Sequence, residues 1–179
     1  MERKLNVSTG IRFGLILGAI YCVLLFWRWS AAGNVVILPF ITILSYFGIL
    51  GLMFYEAAYR RKINGGFISV KDLFQTLFIS VLLFEMFFSA YNYIHFHFID
   101  THVVDKMKEG MKEALLKMGP QISDQVKKDK IDGLDQFKDT MTIGQIIKNY
   151  FVWVSASGVF ALIISVLMRK NPPAAKTIN

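Results

Sequence analysis

The chain has 179 residues, of which 54% are hydrophobic, and a formal charge of +7. Soluble domains run at roughly 45–50% apolar, and here the apolar excess is gathered in blocks, which excludes an ordinary water-soluble globule. A single cysteine, Cys22, excludes an internal disulfide framework and says nothing of redox compartment.

Four apolar runs appear in chain order: Phe13 to Trp27, Val35 to Tyr55, Leu73 to Phe98 and Asn149 to Met168. Each approaches or exceeds the roughly 20 helical residues that cross a hydrocarbon core. None alternates as a barrel strand would, so the expected fold is all-α: an integral membrane bundle of four transmembrane helices with an amphipathic helical outer loop. The predicted helices cover about 10–30, 34–58, 70–100 and 145–169 of one membrane domain. The outer loop covers 101–144, and the proline-bearing tail 171–179 is expected to be disordered.

Along the first run, Gly10, Gly14 and Gly18 recur every four residues, with Cys22 one step on. Such a stripe lets another helix approach closely; packing within the chain is the preferred reading, dimerisation the second. Ser30-Ala31-Ala32 has the form of a signal-peptide cleavage site. A glycine stripe would serve nothing in a discarded segment, however, and Arg28 between Trp27 and Trp29 reads as an interfacial anchor, so a retained helix is expected. Arg12 and Arg28 are expected to snorkel outward. The second run begins near Asn34, tolerates Pro39 in its first turns, and ends in a tyrosine and basic belt, Tyr55-Glu56-Ala57-Ala58-Tyr59-Arg60-Arg61-Lys62. Asn64-Gly65-Gly66 predicts a turn, and Ser69 followed by Asp72 predicts the N-cap of the third helix.

The outer segment carries Val103, Val104, Met107, Met111, Leu115 and Met118 at helical spacing, stopped by Gly119-Pro120. Ile122, Val126, Ile131, Leu134 and Phe137 suggest a second, weaker helix. Thr142 and Gln145 form a capping box opening the fourth span.

Basic residues flank the first run, fill the link between the second and third, and follow the fourth. Both termini and that link are therefore expected in the cytoplasm, with the outer loop outside. The same placement argues for a lipid-headgroup and topology role, not a nucleic-acid footprint.

Glu85 stands in the middle of the third run, roughly 18 Å from its start at 1.5 Å per residue. A carboxyl there is expensive and defaults to a functional hypothesis. Ser89 and Asn92 share its face, and depth counting places Ser45, Tyr46, Ser157 and Tyr21 in the same layer. No Lys or Arg is expected at that depth, so Glu85 is read as a neutral acid in a polar layer. As a polar clamp it would contribute about 0.6–2 kcal/mol. The alternative is a proton or cation relay, which would need more polar residues along a path than are evident. His95, His97 and Asp100 end this helix; His97 with Asp100 and His102 with Asp105 are read as interfacial hydrogen-bonding pairs. His95 and His97 fall on opposite sides of a helix, so no metal site is expected. No catalytic motif and no cofactor motif occurs.

The Gly-bearing first helix, the Arg60 and Asn64-Gly65-Gly66-Phe67-Ile68-Ser69 stretch, the Tyr93 to Asp100 helix end and the charged outer segment occur in one order. In that order the chain resembles, over nearly its whole length, the bacterial membrane family catalogued as domain of unknown function 4199, found mainly in Bacteroidetes. Thr101 stands where that family often has proline, which leaves the third helix free to run on into the outer segment. The resemblance implies an inner-membrane, multi-pass protein and no particular chemistry. The expected role is that of a non-enzymatic membrane component that binds a partner or scaffolds; the rival is a small proton- or ion-coupled transporter or channel subunit using Glu85. Its expected partners are the lipid bilayer, a second copy of itself, or a protein taken through the outer loop.

Overall fold

The computed structural model describes residues 2–117, 123–139 and 142–170. The described chain is helical throughout: α1 (Glu2–Ser30), α2 (Ile37–Ile63), α3 (Val70–Ile94), α4 (Val103–Lys117), α5 (Asp124–Asp139) and α6 (Ile143–Met168). Four segments are long and apolar enough to cross a membrane: Lys4–Ser30, Ile37–Ile63, Val70–Ile99 and Ile143–Met168. The protein is a membrane-embedded helical bundle. Phe40, Phe47, Phe151 and Leu167, all more than half exposed, face outward where lipid would cover them.

Helix α3 is central. It packs along α1 and against α6, while α2 touches α1, α3 and α6 more lightly. The glycine stripe explains how closely α1 approaches. A Cβ on Gly10 would lie 2.6 Å from the Thr76 carbonyl oxygen, one on Gly14 2.8 Å from Leu83 Cβ, and one on Gly18 2.5 Å from the Phe87 ring. The buried apolar face of α3, including Leu73, Leu77, Val81 and Phe84, meets Leu17, Tyr21 and Leu25 of α1.

The local signals act where sequence chemistry places them. Asn34 Oδ1 accepts from the Val36 and Ile37 amides ahead of α2. Gly65 and Gly66 take φ of 71° and 89° in the turn after it. Ser69 Oγ accepts from the Asp72 amide at 3.1 Å, and Thr142 Oγ1 from the Gln145 amide at 3.4 Å. An antiparallel bridge between Ile68 and Lys170 ties the start of α3 to the end of α6.

Other features depart from the sequence pattern. Helix α1 begins at Glu2, not near residue 10, because Asn6 in its second turn is buried by partners on two other helices. Helix α2 runs on to Ile63, since Glu56, Ala57 and Arg60 turn inward. Helix α3 does not run on into the outer segment. It passes through a π turn, His95–Ile99, with the Asp100 amide donating to the His95 carbonyl at 2.8 Å, and breaks at Asp100 (φ −141°, ψ 90°). Asp100 then accepts from the His102 amide at 3.1 Å and from Lys106 Nζ at 2.5 Å. The lysine bond holds this carboxyl below the usual carboxylate range.

Helix α4 lies over this end of the bundle. Val103, Val104 and Leu115 are buried, Met107 packs on the core, and the Gly110 backbone sits against the Gly33 carbonyl with no room for a Cβ. The expected stop at Gly119-Pro120, Met118, Ile122, the side chain of Phe137 and the tail 171–179 lie outside the described residues.

Replacing Gly14 by alanine should destabilise the bundle by about 1–3 kcal/mol, the usual cost of overpacking a close contact. Gly48→Ala, where a Cβ meets nothing within 4 Å, should change stability by less than about 0.5 kcal/mol. Reversible unfolding in mixed micelles compares the two.

Candidate functional site

At mid-depth Glu85 is buried, and its Oε1 accepts a hydrogen bond from Ser157 Oγ of α6 at 2.6 Å. The pair stands at a cavity of about 380 Å³ whose lining includes Tyr21, Tyr46, Phe47, Trp153 and Phe160. The Tyr46 and Trp153 rings stack across it at 6.2 Å, and Tyr21 stacks on Phe88 at 5.1 Å. The light contact of α2 with its neighbours leaves this space. Its volume falls among small-molecule sites, about 300–1,000 Å³.

The residues expected to share a layer with Glu85 separate into groups. Ser157 bonds it, and Tyr21 and Tyr46 line the same cavity. Ser45 is buried but returns its hydroxyl to the Ile41 carbonyl of its own helix, 2.7 Å away. Ser89 is half-buried. Asn92 belongs to the other end of the bundle: its Oδ1 accepts from Trp29 Nε1 at 2.8 Å and its Nδ2 donates to the Phe88 carbonyl at 3.0 Å.

Arg28 does not snorkel outward. Its guanidinium lies 4.6 Å from the Trp29 ring centroid, with the Tyr46 hydroxyl beside it. Trp29 is buried against Phe96 and His95, so of the two tryptophans flanking Arg28 only Trp27 faces outward. The cationic head has an acceptor and an aromatic face within reach, which offsets leaving water.

His95 is buried and His97 exposed, on different sides of the helix end. His97 Nδ1 lies 3.0 Å from the Tyr93 carbonyl and not on Asp100, which Lys106 occupies. The other expected pair is present, His102 Nδ1 standing 3.3 Å from Asp105 Oδ2.

A second polar group, missed in the sequence, lies at the opposite end, with Asn6, Glu56, Arg60 and Ser80 fully buried and Asp72 and Gln75 partly so. Asn6 of α1 is its hub. Its Oδ1 accepts from Arg60 Nε at 3.0 Å and from Arg60 Nη2; its Nδ2 donates to Asp72 Oδ1 at 3.0 Å and Gln75 Oε1 at 3.2 Å. Close by, Ser80 Oγ lies 2.8 Å from the Gly10 carbonyl oxygen and 2.6 Å from Glu56 Oε1. Glu56 and Arg60 therefore do not belong to an interfacial belt; both are wholly inaccessible. The signal was present as spacing. Asn6 stands four residues before Gly10 on the same stripe, and Asp72, Thr76 and Ser80 repeat every four residues along α3, putting both sets on facing sides.

Asn6→Ala removes an acceptor from a buried guanidinium and should lower stability by about 2–3 kcal/mol. Ser45→Ala, which deletes a bond internal to one turn, should cost under about 1 kcal/mol. Parallel unfolding of both variants in mixed micelles is the check.

No curated protein and no solved structure matches the chain. A family described as "Protein of unknown function (DUF4199)" matches residues 10–170, and the chain belongs to that family.

Proposed function

We propose that the protein is a non-enzymatic component of the bacterial inner membrane that binds a membrane-resident partner at the Glu85 cavity. One observation supports this reading above others: a cavity of about 380 Å³ at bilayer depth with a carboxyl and a hydroxyl set in otherwise apolar, aromatic walls. Phe47 and Phe160, 69% and 51% exposed, mark its mouth between α2 and α6. A partner entering from the lipid would bring apolar bulk and one hydrogen-bonding group for the Glu85–Ser157 pair. Sites of this kind fix orientation with few polar groups. The methionine face of α4 suits a partner less well, since Met107 already packs on the chain's own core. A non-enzymatic role is favoured because, among the described residues, the Ser157–Glu85 contact has no third side chain hydrogen-bonded to the carboxyl to orient it as a base.

The orientation follows from charge. Arg60, Arg61, Lys62, Lys71, Arg169 and Lys170 flank the end joined by the Ile68–Lys170 bridge. On the positive-inside rule this end faces the cytoplasm, with both termini, and α4 and α5 lie outside.

A photoreactive residue at Phe47 or Phe160 should crosslink, in native membranes, to one discrete species, and Ala156→Trp, which fills the cavity, should abolish the adduct. Adducts that simply mirror the bulk lipid composition would contradict the proposal. Orientation is read separately. With Cys22 replaced by serine, Lys128→Cys should react with an impermeant maleimide in intact cells and Gly65→Cys only after lysis.

A further inference from the structure

The Ser80 hydroxyl has one hydrogen and two close oxygen neighbours: the Gly10 carbonyl at 2.8 Å and Glu56 Oε1 at 2.6 Å. The carbonyl carries no hydrogen. If Ser80 donates to it, the Ser80–Glu56 contact is a hydrogen bond only when Glu56 supplies the proton. If Ser80 instead donates to Glu56 as a carboxylate, the Gly10 and Ser80 oxygens meet at 2.8 Å with no hydrogen between them. That carboxylate would also be fully buried on a single hydrogen bond, because Glu56 Oε2 has no partner. A buried unpaired charge is among the most expensive groups a protein can hold. Glu85 follows Ser80 by five residues on α3; further charged groups flanking this crossing are Arg60, one turn further along α2, and Asp72, two turns before Ser80 on α3. Both bond the Asn6 amide, and among the described residues Glu56 bonds only Ser80.

We propose that Glu56 is a proton-binding site: a carboxylic acid at the crossing of α1, α2 and α3, donating to Ser80, and exchanging its proton through the Glu85 cavity. The route is short. Met53 lines the cavity three residues before Glu56 on α2, about 4.5 Å of helix rise. Ser80 precedes Glu85 by five residues on α3, about 7.5 Å. Two acids thus stand in adjoining layers of the membrane, and Met53 and Phe84, which line the cavity, lie within about a turn of Glu56 and Ser80 along their own helices. This inference takes the cavity of the proposed function as the water and proton route: the proton on Glu56 does not depend on what fills the cavity, whereas an apolar occupant would slow its exchange.

The test is infrared spectroscopy of the full chain in lipid bilayers, with Glu85→Gln as background so that one buried acid remains. The carbonyl stretch of a protonated carboxyl should be present at neutral pH, shift in heavy water, and vanish on Glu56→Gln. Ser80→Ala should keep the band and move it to higher frequency, which tests the hydrogen bond even where Glu56→Gln misfolds. Filling the cavity with Ala156→Trp should slow deuterium exchange of the band several-fold. Absence of the band at neutral pH, or a band unmoved by Ser80→Ala, would overturn the assignment of the proton. Exchange as fast in Ala156→Trp would overturn the route. Loss of partner crosslinking with the band intact would count against the binding proposal alone.

Discussion

The contact of α1 with α3 sets the terms for the rest of the bundle. Three glycines at four-residue spacing remove every side chain from one stripe of α1, so its backbone rests on Thr76, Ile79, Ser80, Leu83 and Phe87. In lipid there is no hydrophobic drive between helices, so close packing and interhelical hydrogen bonds must supply the association. The stripe provides both. It maximises dispersion contacts, and it brings the Gly10 carbonyl within reach of Ser80 and Asn6 within reach of Asp72 and Gln75.

That approach decides how costly polar atoms are accommodated. The Asn6 side chain uses its carbonyl and amino groups on partners from two helices, holding a buried arginine without any direct contact of that arginine with water. Polar groups in a low-dielectric interior are strongly favourable when satisfied and expensive when not. Among the described residues Glu56 is one exception, with one oxygen satisfied and the other without a partner. Glu85 differs again, since it borders an open cavity. The two acids occupy different environments although both sit in apolar helices, and this difference separates the node proposed to hold a proton from the cavity proposed to take a partner. The loose seating of α2 is what creates the second environment.

Much of the architecture was legible because the determining features are local. Hydropathy blocks mark the spans, Ser69 and Thr142 mark helix starts, and Gly65-Gly66 marks a turn only residues tolerant of positive φ can make. The depth of Glu85 followed from helix rise, and Ser157 lies at hydrogen-bonding distance from it. The rest depended on tertiary arrangement. Glu56 reads as interfacial because Tyr55 and three basic residues surround it in the chain, yet a helix turns consecutive residues through different directions, and Glu56 and Arg60 share the inward one. Arg28 reads as a snorkelling anchor until Tyr46 of another helix is placed beside it. Asn92 shares a face with Glu85 in projection but lies nearly two turns further on, where Trp29 claims it. The cavity has no sequence signature, because it is the space left where α2 and α6 meet only lightly.

The central claim is that a flush glycine contact and the buried polar node are one device. A double-mutant cycle between Gly10→Ala and Ser80→Ala, read by reversible unfolding in mixed micelles, tests it most directly. An added methyl at Gly10 pushes the backbone from Thr76 and weakens the same carbonyl–hydroxyl bond that Ser80→Ala deletes. The two losses should then overlap, with a coupling of about 0.5–3 kcal/mol between them. Losses that add within about 0.3 kcal/mol would show that packing and polar node are independent, and would contradict the account.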